Sequence, residues 1–293
     1  MSNDTYGMAT LQSPKKRLPP GACDTHAHVF GPYDRFPLAE PRPYTPAASP
    51  FDHYWAMLEA MGFDRGVLVH GGAHGWDHRA MLDAIARAPD RLRGVGVVPA
   101  DEEAEELGRL HTAGIRGLRF TDVAGPNASQ NFAGRVGLDA LYALAPKMRG
   151  LGWHAVIWAN SSVFETHANE LRTLGIPIVI DHLGYFDVTK GVDDSAFRAV
   201  RNLVEDGIAY IKLTAFRNSK QPPLHEDVEP YHKALVQANP ERILWGSDWP
   251  FLGMNTYRPE LGALLDLLDR WIEDDDTKEL ALVTNPERLY FST

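Results

Sequence analysis

Gly21-Ala22-Cys23-Asp24-Thr25-His26-Ala27-His28, residues 21–28, is an apolar run that closes on two histidines. In a β-strand, side chains two residues apart point to the same face. We therefore expect Asp24, His26 and His28 to share one face of this strand and Cys23 to lie on the other. Two imidazoles aimed at one point suit a metal ion or a developing negative charge on oxygen.

A second stretch, Arg242-Ile243-Leu244-Trp245-Gly246-Ser247-Asp248-Trp249-Pro250, is typical of a short buried strand that delivers Asp248 and stops at proline. Between the two stretches, short apolar runs alternate with helical patterns. The predicted strands are Ala22–His28, Gly66–His70, Gly94–Val98, Gly117–Phe120, His154–Ile157, Pro177–Ile180, Ala209–Leu213 and Ile243–Ser247. The predicted helices are Asp52–Met61, His78–Arg87, Glu102–Thr112, Leu138–Gly150, Val163–Leu174, Ser195–Glu205, Val228–Ala238 and Pro259–Ile272.

Eight strands, each followed by a helix, in a chain of 293 residues predict a (β/α)8 barrel, an α/β fold with a single domain. We expect the barrel to span residues 21–293, after a loose N-terminal arm at residues 1–20. The eighth strand of such a barrel pairs with the first. Asp248 should therefore lie beside His26 and His28 at the C-terminal mouth, where these barrels carry their chemistry.

The composition narrows the possible functions. An apolar content of 44% is enough to fill a barrel, and no apolar run approaches the length of about 20 residues that crosses a bilayer. A net charge of −10 without a basic stripe argues against nucleic acid as a partner. A single cysteine excludes an internal disulfide and fits the cytoplasm. The sequence contains no Walker-type loop and no Gly-x-Gly-x-x-Gly motif, so nothing in it indicates a nucleotide cofactor. Either a monomer or a homo-oligomer is compatible with these features.

Other strand ends and one long loop add candidates at the mouth. His182 follows the sixth predicted strand, Arg119 ends the fourth, and Arg217 comes just after the seventh. Arginines are rarely buried without partners, so the two at the mouth indicate an anion to receive, with ion pairing to loop carboxylates as the alternative. The segment at residues 29–50 is rich in aromatic residues and proline. It is either an ordered flap over the mouth or an insertion that packs on the rim.

Five motifs run in order through nearly the whole chain: Asp24-Thr25-His26-Ala27-His28-Val29-Phe30-Gly31-Pro32, Gly117-Leu118-Arg119-Phe120, Val179-Ile180-Asp181-His182-Leu183-Gly184, Trp245-Gly246-Ser247-Asp248-Trp249-Pro250 and Val283-Thr284-Asn285-Pro286-Glu287-Arg288-Leu289-Tyr290. Through these motifs the chain resembles the amidohydrolase superfamily, and within it the 2-pyrone-4,6-dicarboxylate lactonase branch.

The resemblance implies an enzyme that hydrolyses a lactone ring. Asp248 would be the general base, and His26, His28 and His182 would polarise the ring carbonyl. The implied substrate contacts are Arg119, Arg217 and Tyr44 for carboxylates, together with Tyr185, Trp158 and His74. The implied partner is a small-molecule lactone.

This chain departs from the branch at three positions. Residues 121–131 contain no counterpart of a second arginine, Tyr185 stands where an arginine is expected, and Trp158 replaces a tyrosine. Each arginine contact to a carboxylate contributes about 1.5 to 3 kcal/mol. We therefore expect a substrate less anionic than the pyrone dicarboxylate, either a monocarboxylated lactone or a hydroxylated sugar-acid lactone.

The sequence is compatible with a metal-free site and with a site that holds one divalent cation. The resembled branch works without metal, and the fourth strand carries no lysine to bridge two ions, so no cofactor is favoured. One divalent cation such as zinc or manganese, held by His26, His28 and Asp248, is the alternative. Two other functions remain possible: a mononuclear metal-dependent decarboxylase or amidohydrolase, and a non-catalytic barrel that binds a small ligand.

Overall fold

Parallel strands alternate with helices throughout the computed structural model, which describes residues 11–123, 132–254 and 257–292. The strands are β1 Cys23–Ala27, β2 Arg65–Val69, β3 Leu92–Gly96, β4 Ile115–Asp122, β5 His154–Ala159, β6 Ile178–Ile180, β7 Ala209–Lys212 and β8 Ile243–Leu244. The helices are α1 Phe51–Met61, α2 Arg79–Arg87, α3 Ala104–Thr112, α4 Leu138–Gly150, α5 Ser161–Thr173, α6 Ser195–Glu205, α7 Glu229–Ala238, α8 Leu261–Trp271 and the short α9 Asp275–Glu279.

The strands form one sheet in the order β1-β2-β3-β4-β5-β6-β7-β8, with every neighbouring pair parallel. The predicted (β/α)8 barrel is therefore confirmed. Each predicted strand and helix is present, and their ends differ from the prediction by at most three residues. The sequence pattern missed α9 and the two helical segments after it, Leu280–Thr284 and Glu287–Phe291. These segments are short, and no apolar periodicity of their own marks them.

A seam of main-chain hydrogen bonds joins the end of β8 to β1 and closes the barrel. Thr25 N–H donates to Trp245 O at 3.0 Å, Asp248 N–H to His26 O at 2.8 Å, and His28 N–H to Trp249 O at 2.8 Å. Gly246 makes this approach possible, because a Cβ atom there would lie 2.6 Å from the Cβ of His26. The seam sets Asp248 against the two histidines.

The barrel interior is a separate apolar cluster with one or two side chains from most strands. It contains Cys23, Val67, Val69, Val95, Val156, Val179, Tyr210 and Leu244, and the C-terminal residues Leu289 and Tyr290 pack against them. The larger core lies outside, between strands and helices. Within the described residues, no helix is long and apolar enough to cross a membrane.

The two faces of β1 are not divided as the alternation predicted. The register between β1 and β2 shifts between Asp24 and Ala27, which marks a β-bulge. The extra residue reverses the parity of the strand. Cys23 therefore lies in the barrel interior, on the same side as His26 and His28, and the prediction that it lies on the opposite face was wrong.

Asp24 turns away from the histidines, and its carboxylate ties down the bulge. It accepts hydrogen bonds from Ser247 N–H at 2.8 Å, Ser247 Oγ at 2.7 Å, His26 N–H at 3.2 Å and Tyr54 Oη at 3.2 Å. Tyr54 belongs to α1, outside the barrel. Burial raises the pKa of Asp24 to about 6, although its hydrogen bonds to Ser247, His26 and Tyr54 oppose the shift. One buried carboxylate thus links β1, β8 and α1.

The loop at residues 29–50 and the described part of the N-terminal arm both pack against the barrel. In the loop at residues 29–50, Phe30 and Ser49 exchange main-chain hydrogen bonds of 2.9 and 2.8 Å, and Phe30 is fully buried. The loop is thus folded against the barrel. In the N-terminal arm, Lys15 N–H donates to Asp266 Oδ1 at 2.8 Å and Lys16 Nζ to Asp269 Oδ1 at 2.9 Å, so the described part of the arm contacts α8.

We predict that Asp24→Ala is less stable than Asp24→Asn by about 2 kcal/mol in urea unfolding at pH 7, since each buried donor left unpaired costs about 1 to 3 kcal/mol. Asparagine retains an oxygen for the main-chain donors of His26 and Ser247, whereas alanine leaves both unpaired. Asp24→Asn is the matched control, because both variants remove the same charge. Equal stability of the two variants would show that Asp24 does not hold the bulge.

Candidate active site

The chemistry-bearing side chains converge at the C-terminal mouth of the barrel. His26 lies in β1 and His28 directly follows it, Asp181 and His182 directly follow β6, Lys212 ends β7, and Asp248 follows β8. All six side chains are buried, with at most 3% of their surface exposed. The predicted meeting of His26, His28 and Asp248 therefore occurs, and two further charged residues join it.

His26 and His28 face each other through their Nε2 atoms, which lie 3.3 Å apart. His28 Nδ1 lies 2.8 Å from Val69 O, and a carbonyl can only accept, so His28 carries a proton on Nδ1. In the neutral ring the lone pair is then on Nε2, which faces His26. Asp248 Oδ1 lies 3.7 Å from His26 Nε2 and 3.6 Å from His28 Nε2.

Asp248 is held by an arginine on the side away from the histidines. Arg217 Nε donates to Asp248 Oδ2, and Arg217 Nη1 donates to Leu252 O at 2.8 Å. Burial disfavours the Asp248 carboxylate, but the Arg217 guanidinium outweighs it and keeps the pKa of Asp248 well below its ordinary value. Asp248 is therefore ionised near neutral pH, with Oδ1 turned toward the centre of the mouth.

Asp181 and Lys212 form a second charged group deeper in the barrel. Lys212 Nζ lies 3.0 Å from Asp181 Oδ1 and 3.0 Å from His26 Nδ1, and Arg119 donates to Asp181 Oδ2 at 3.0 and 3.2 Å. Burial opposes the charge of Asp181, but Lys212, His26 and Arg119 hold its pKa well below the ordinary range. Burial also lowers the pKa of Lys212, and Asp181 counters this shift.

The sequence analysis missed a role for Asp181 and Lys212. The signal for Lys212 was present, because a lysine within the apolar run Ala209-Tyr210-Ile211-Lys212-Leu213 is rarely buried unless paired. Its partner follows from strand register. Val179 pairs with Tyr210 and Ile180 with Ile211, which sets Asp181 and Lys212 side by side on neighbouring strands.

His182 completes the histidine cluster. Its ring centroid lies 4.8 Å from that of His26, and its Nδ1 atom is buried without a hydrogen-bond partner among the described residues. Burial lowers the pKa of His182 to about 4, against the attraction of Asp248 and Asp181, so the ring is neutral at pH 7. The backbone of His182 is left-handed, with φ of 50°, and Asn218 Nδ2 donates to its carbonyl at 2.7 Å.

Aromatic side chains surround this cluster at the rim. The Arg119 guanidinium lies 4.8 Å from the centre of the Trp158 ring, and Trp158 meets Tyr185 edge to face at 6.0 Å. Burial raises the pKa of Tyr44 to about 12, which keeps its phenol protonated as a donor. A cavity of about 440 Å³ opens between Tyr44 and the loop after β8, around Phe251 and Met254.

His74 lies apart from the cluster. Its ring stacks on Phe30 with centroids 5.6 Å apart, and its Nδ1 lies 3.2 Å from Pro37 O. Among the described residues, no hydrogen bond or ring contact joins His74 directly to His26, His28 or Asp248. Its predicted substrate contact stays a prediction.

The arginine-free stretch at residues 121–131 bears on the substrate too, but residues 124–131 lie outside the described part of the chain.

The spacing of His26 Nε2, His28 Nε2 and Asp248 Oδ1 suits one divalent cation. Zinc bonds of about 2.0 to 2.1 Å in a tetrahedral arrangement separate neighbouring ligand atoms by about 3.3 Å. The observed separations are 3.3, 3.6 and 3.7 Å. A second possible set, His26, Asp181 and His182, is less suitable because Lys212 and Arg119 already occupy the Asp181 oxygens.

Comparison with known proteins identifies a matching family and similar relatives. Residues 23–291 match the sequence model of a family described as Amidohydrolase. The chain is 36% identical to a 4-sulfomuconolactone hydrolase of Rhizobium radiobacter, over 98% of both chains. It is 34% identical to a 2-pyrone-4,6-dicarboxylate hydrolase of Comamonas testosteroni, over 97% of this chain and 94% of the other. A solved apo structure from Agrobacterium tumefaciens superposes with a TM-score of 0.84 at 26% identity, covering 96% and 99% of the two chains.

Proposed function

This chain belongs to the amidohydrolase family, and from that premise we propose that it hydrolyses the ring of a small lactone that carries a carboxylate or several hydroxyl groups. The observation that carries the proposal is the free oxygen of Asp248. Asp248 Oδ1 faces the Nε2 atoms of His26 and His28 at 3.7 and 3.6 Å, while Oδ2 is engaged by Arg217. A carboxylate base and imidazole donors around one point are what ester hydrolysis requires.

In the proposed mechanism, Asp248 Oδ1 accepts a proton from a water molecule as the water attacks the lactone carbonyl. Negative charge then develops on the carbonyl oxygen, and an imidazole N–H of the histidine cluster donates to it. His26 or His182 supplies this N–H, because the Nδ1 proton of His28 donates to Val69 O. The histidines lie in a buried site, where a hydrogen bond to an oxyanion is stronger than in water. Proton transfer from Asp248 to the ring oxygen then releases the hydroxy acid.

Arg217 gives the substrate a way to activate the base. Its guanidinium keeps the pKa of Asp248 low in the free protein, which makes the carboxylate a weak base. A substrate carboxylate that shares Arg217 would weaken this pairing and raise the basicity of Asp248 in the complex. Binding of the anionic substrate and activation of the water are thereby coupled.

The charge balance of the mouth supports a substrate with one anionic group. Among the described residues of the cluster, Arg119, Lys212 and Arg217 are cationic and Asp181 and Asp248 are anionic. Both arginines already contact a carboxylate, so they are less free to receive substrate than their sequence positions indicated. The excess of one positive charge is compensated by one substrate carboxylate, whereas a second would enter a partly dry site without a partner.

If one divalent cation binds, His26, His28 and Asp248 would hold it, and it would supply polarisation of the carbonyl and a more acidic water. A metal-dependent decarboxylase or amidohydrolase would use the same residues. We favour lactone hydrolysis without metal, because Arg217 engages one Asp248 oxygen and no lysine of β4 can bridge two ions. The barrel domain at residues 21–293 and a cytoplasmic location stay predictions, as does the choice between monomer and homo-oligomer.

We predict that Asp248→Asn lowers kcat at least about a hundredfold, since general-base catalysis contributes about 10² to 10⁴ in rate. The variant should keep its circular dichroism spectrum and unfold cooperatively. Ser247→Ala, which changes the neighbouring residue without touching the base, is the control for disturbance of the seam. Near-normal turnover of Asp248→Asn would remove the assignment and would favour the ligand-binding alternative.

We predict that treatment with a strong chelator, followed by elemental analysis, leaves kcat within about twofold of the untreated protein, because Asp248 and the imidazoles supply the base and the donors. Activity that disappears with the metal and returns with zinc or manganese would overturn this mechanism. His26, His28 and Asp248 would then be metal ligands.

We predict higher kcat/KM on a lactone with one carboxylate, such as muconolactone, than on 2-pyrone-4,6-dicarboxylate. Proton release on both substrates, with hydroxylated sugar lactones in the same panel, measures the preference. Arg119→Met should lower kcat/KM on the preferred substrate by about ten- to a hundredfold, the effect of one charged hydrogen bond. A kcat/KM above about 10⁵ M⁻¹s⁻¹ on the pyrone dicarboxylate, typical of a native substrate, would contradict the charge argument.

A further inference from the structure

Lys212 is a buried cation that the proposed mechanism does not use. It ends β7, none of its surface is exposed, and its ammonium group lies 3.0 Å from both Asp181 Oδ1 and His26 Nδ1. Burying an ammonium group has a large desolvation cost, which Asp181 offsets. The second contact, to His26, has a chemical consequence of its own.

The hydrogen-bond donors around His26 determine where its proton resides. Two groups contact His26 Nδ1: Lys212 Nζ at 3.0 Å, which can only donate, and Asp181 Oδ1 at 3.2 Å, which can only accept. Because Lys212 Nζ is the nearer of the two and also donates to Asp181 Oδ1 at 3.0 Å, we assign the lone pair of His26 to Nδ1. The single proton of the neutral ring is then on Nε2, which points at the Nε2 lone pair of His28, 3.3 Å away. His28 Nδ1–H donates in turn to Val69 O. Every ring nitrogen of the pair is thereby satisfied.

Without Lys212, the same accounting gives the other tautomer. Asp181 Oδ1 lies 3.2 Å from His26 Nδ1 and, as a carboxylate oxygen, only accepts. His26 would then carry its proton on Nδ1 and turn a lone pair toward His28. Two Nε2 lone pairs and Asp248 Oδ1, separated by 3.3 to 3.7 Å, would form an electron-rich site that lacks a cation.

We propose that Lys212 is a positioning residue that keeps the proton of His26 on Nε2, which makes His26 a hydrogen-bond donor to the lactone carbonyl and prevents His26, His28 and Asp248 from binding a divalent cation. The first consequence rests on the proposed function. The second concerns only the tautomer and holds whatever the substrate is.

Lys212→Met tests the proposal, because methionine fills a similar volume without a donor. The matched variant is Lys212→Met combined with Asp181→Asn. Arg119 donates to the Oδ2 position of residue 181, so an asparagine there keeps its oxygen toward Arg119 and turns its amide N–H toward His26 Nδ1. The double variant thus restores a donor at Nδ1 without the ammonium. Tyr290→Phe, which removes an unpaired hydroxyl in the barrel interior, controls for disturbance of the core.

Nitrogen NMR of histidine-labelled protein is the first measurement, because it distinguishes the two tautomers without any substrate. We expect His26 to carry its proton on Nε2 in the unmodified protein, in Tyr290→Phe and in the double variant, and on Nδ1 in Lys212→Met. Zinc titration is the second measurement. Lys212→Met should bind zinc about a hundredfold more tightly than the unmodified protein, and the double variant should not, as expected for a change beside a metal ligand.

The third measurement is turnover in metal-free buffer. Loss of one oxyanion donor lowers kcat by about 10² to 10³, so Lys212→Met should lose that much with little change in KM, and the double variant should recover part of it. A proton on Nδ1 of His26 in the unmodified protein would overturn the proposal even if Lys212→Met did not fold. So would a Lys212→Met protein with the unmodified tautomer and zinc affinity. If no lactone is hydrolysed, the proposed function fails, while the tautomer and zinc measurements still decide the role of Lys212.

Discussion

Two main-chain hydrogen bonds hold the end of β8 against β1, and the geometry of the rest of the mouth depends on them. Asp248 N–H donates to His26 O, and His28 N–H donates to Trp249 O, both at 2.8 Å. These bonds close the barrel, and they also fix the candidate base relative to the candidate electrophiles. In a barrel whose first and last strands both contribute to the site, closure of the fold and assembly of the site are one event. The Asp24 carboxylate reinforces it from outside by fastening the bulge in β1 to Ser247.

Backbone strain is concentrated at the same place. His182 and Asp248 are both left-handed, with φ of 50° and 57°, a conformation that costs a residue with a side chain about 1 kcal/mol or more. Each is held by a hydrogen bond to a neighbouring segment: Asn218 Nδ2 donates to the His182 carbonyl, and Asp248 N–H donates to His26 O. The two turns lift these side chains off the ends of β6 and β8 and direct them inward. The surrounding barrel supplies the stability that the turns lack.

Periodicity and topology made the barrel and the centre of its mouth predictable from the sequence. Apolar runs separated by helical patterns predicted all eight strands, and the pairing of first and last strands predicted that Asp248 meets His26 and His28. The bulge escaped prediction because it depends on donors from β8 and from Tyr54 of α1, which alternation within one strand cannot reveal. For Arg119 and Arg217, ion pairing with loop carboxylates was one of the two expected outcomes. The partners, Asp181 and Asp248, escaped prediction because they depend on side-chain direction at the mouth.

The buried charges show why a site of this kind is built in a barrel. Replacing a buried ion pair by apolar residues of similar volume is often neutral or stabilising, so Asp181, Lys212 and Arg119 are not explained by stability alone. Their strands hold them rigidly, with Asp181 and Lys212 one step beyond paired positions of β6 and β7. Because the strands are rigid, the ammonium group of Lys212 can determine which nitrogen of His26 carries the proton, and His26 Nε2 faces the centre of the mouth. A surface lysine could not do so, because water would offer the same nitrogen both a donor and an acceptor.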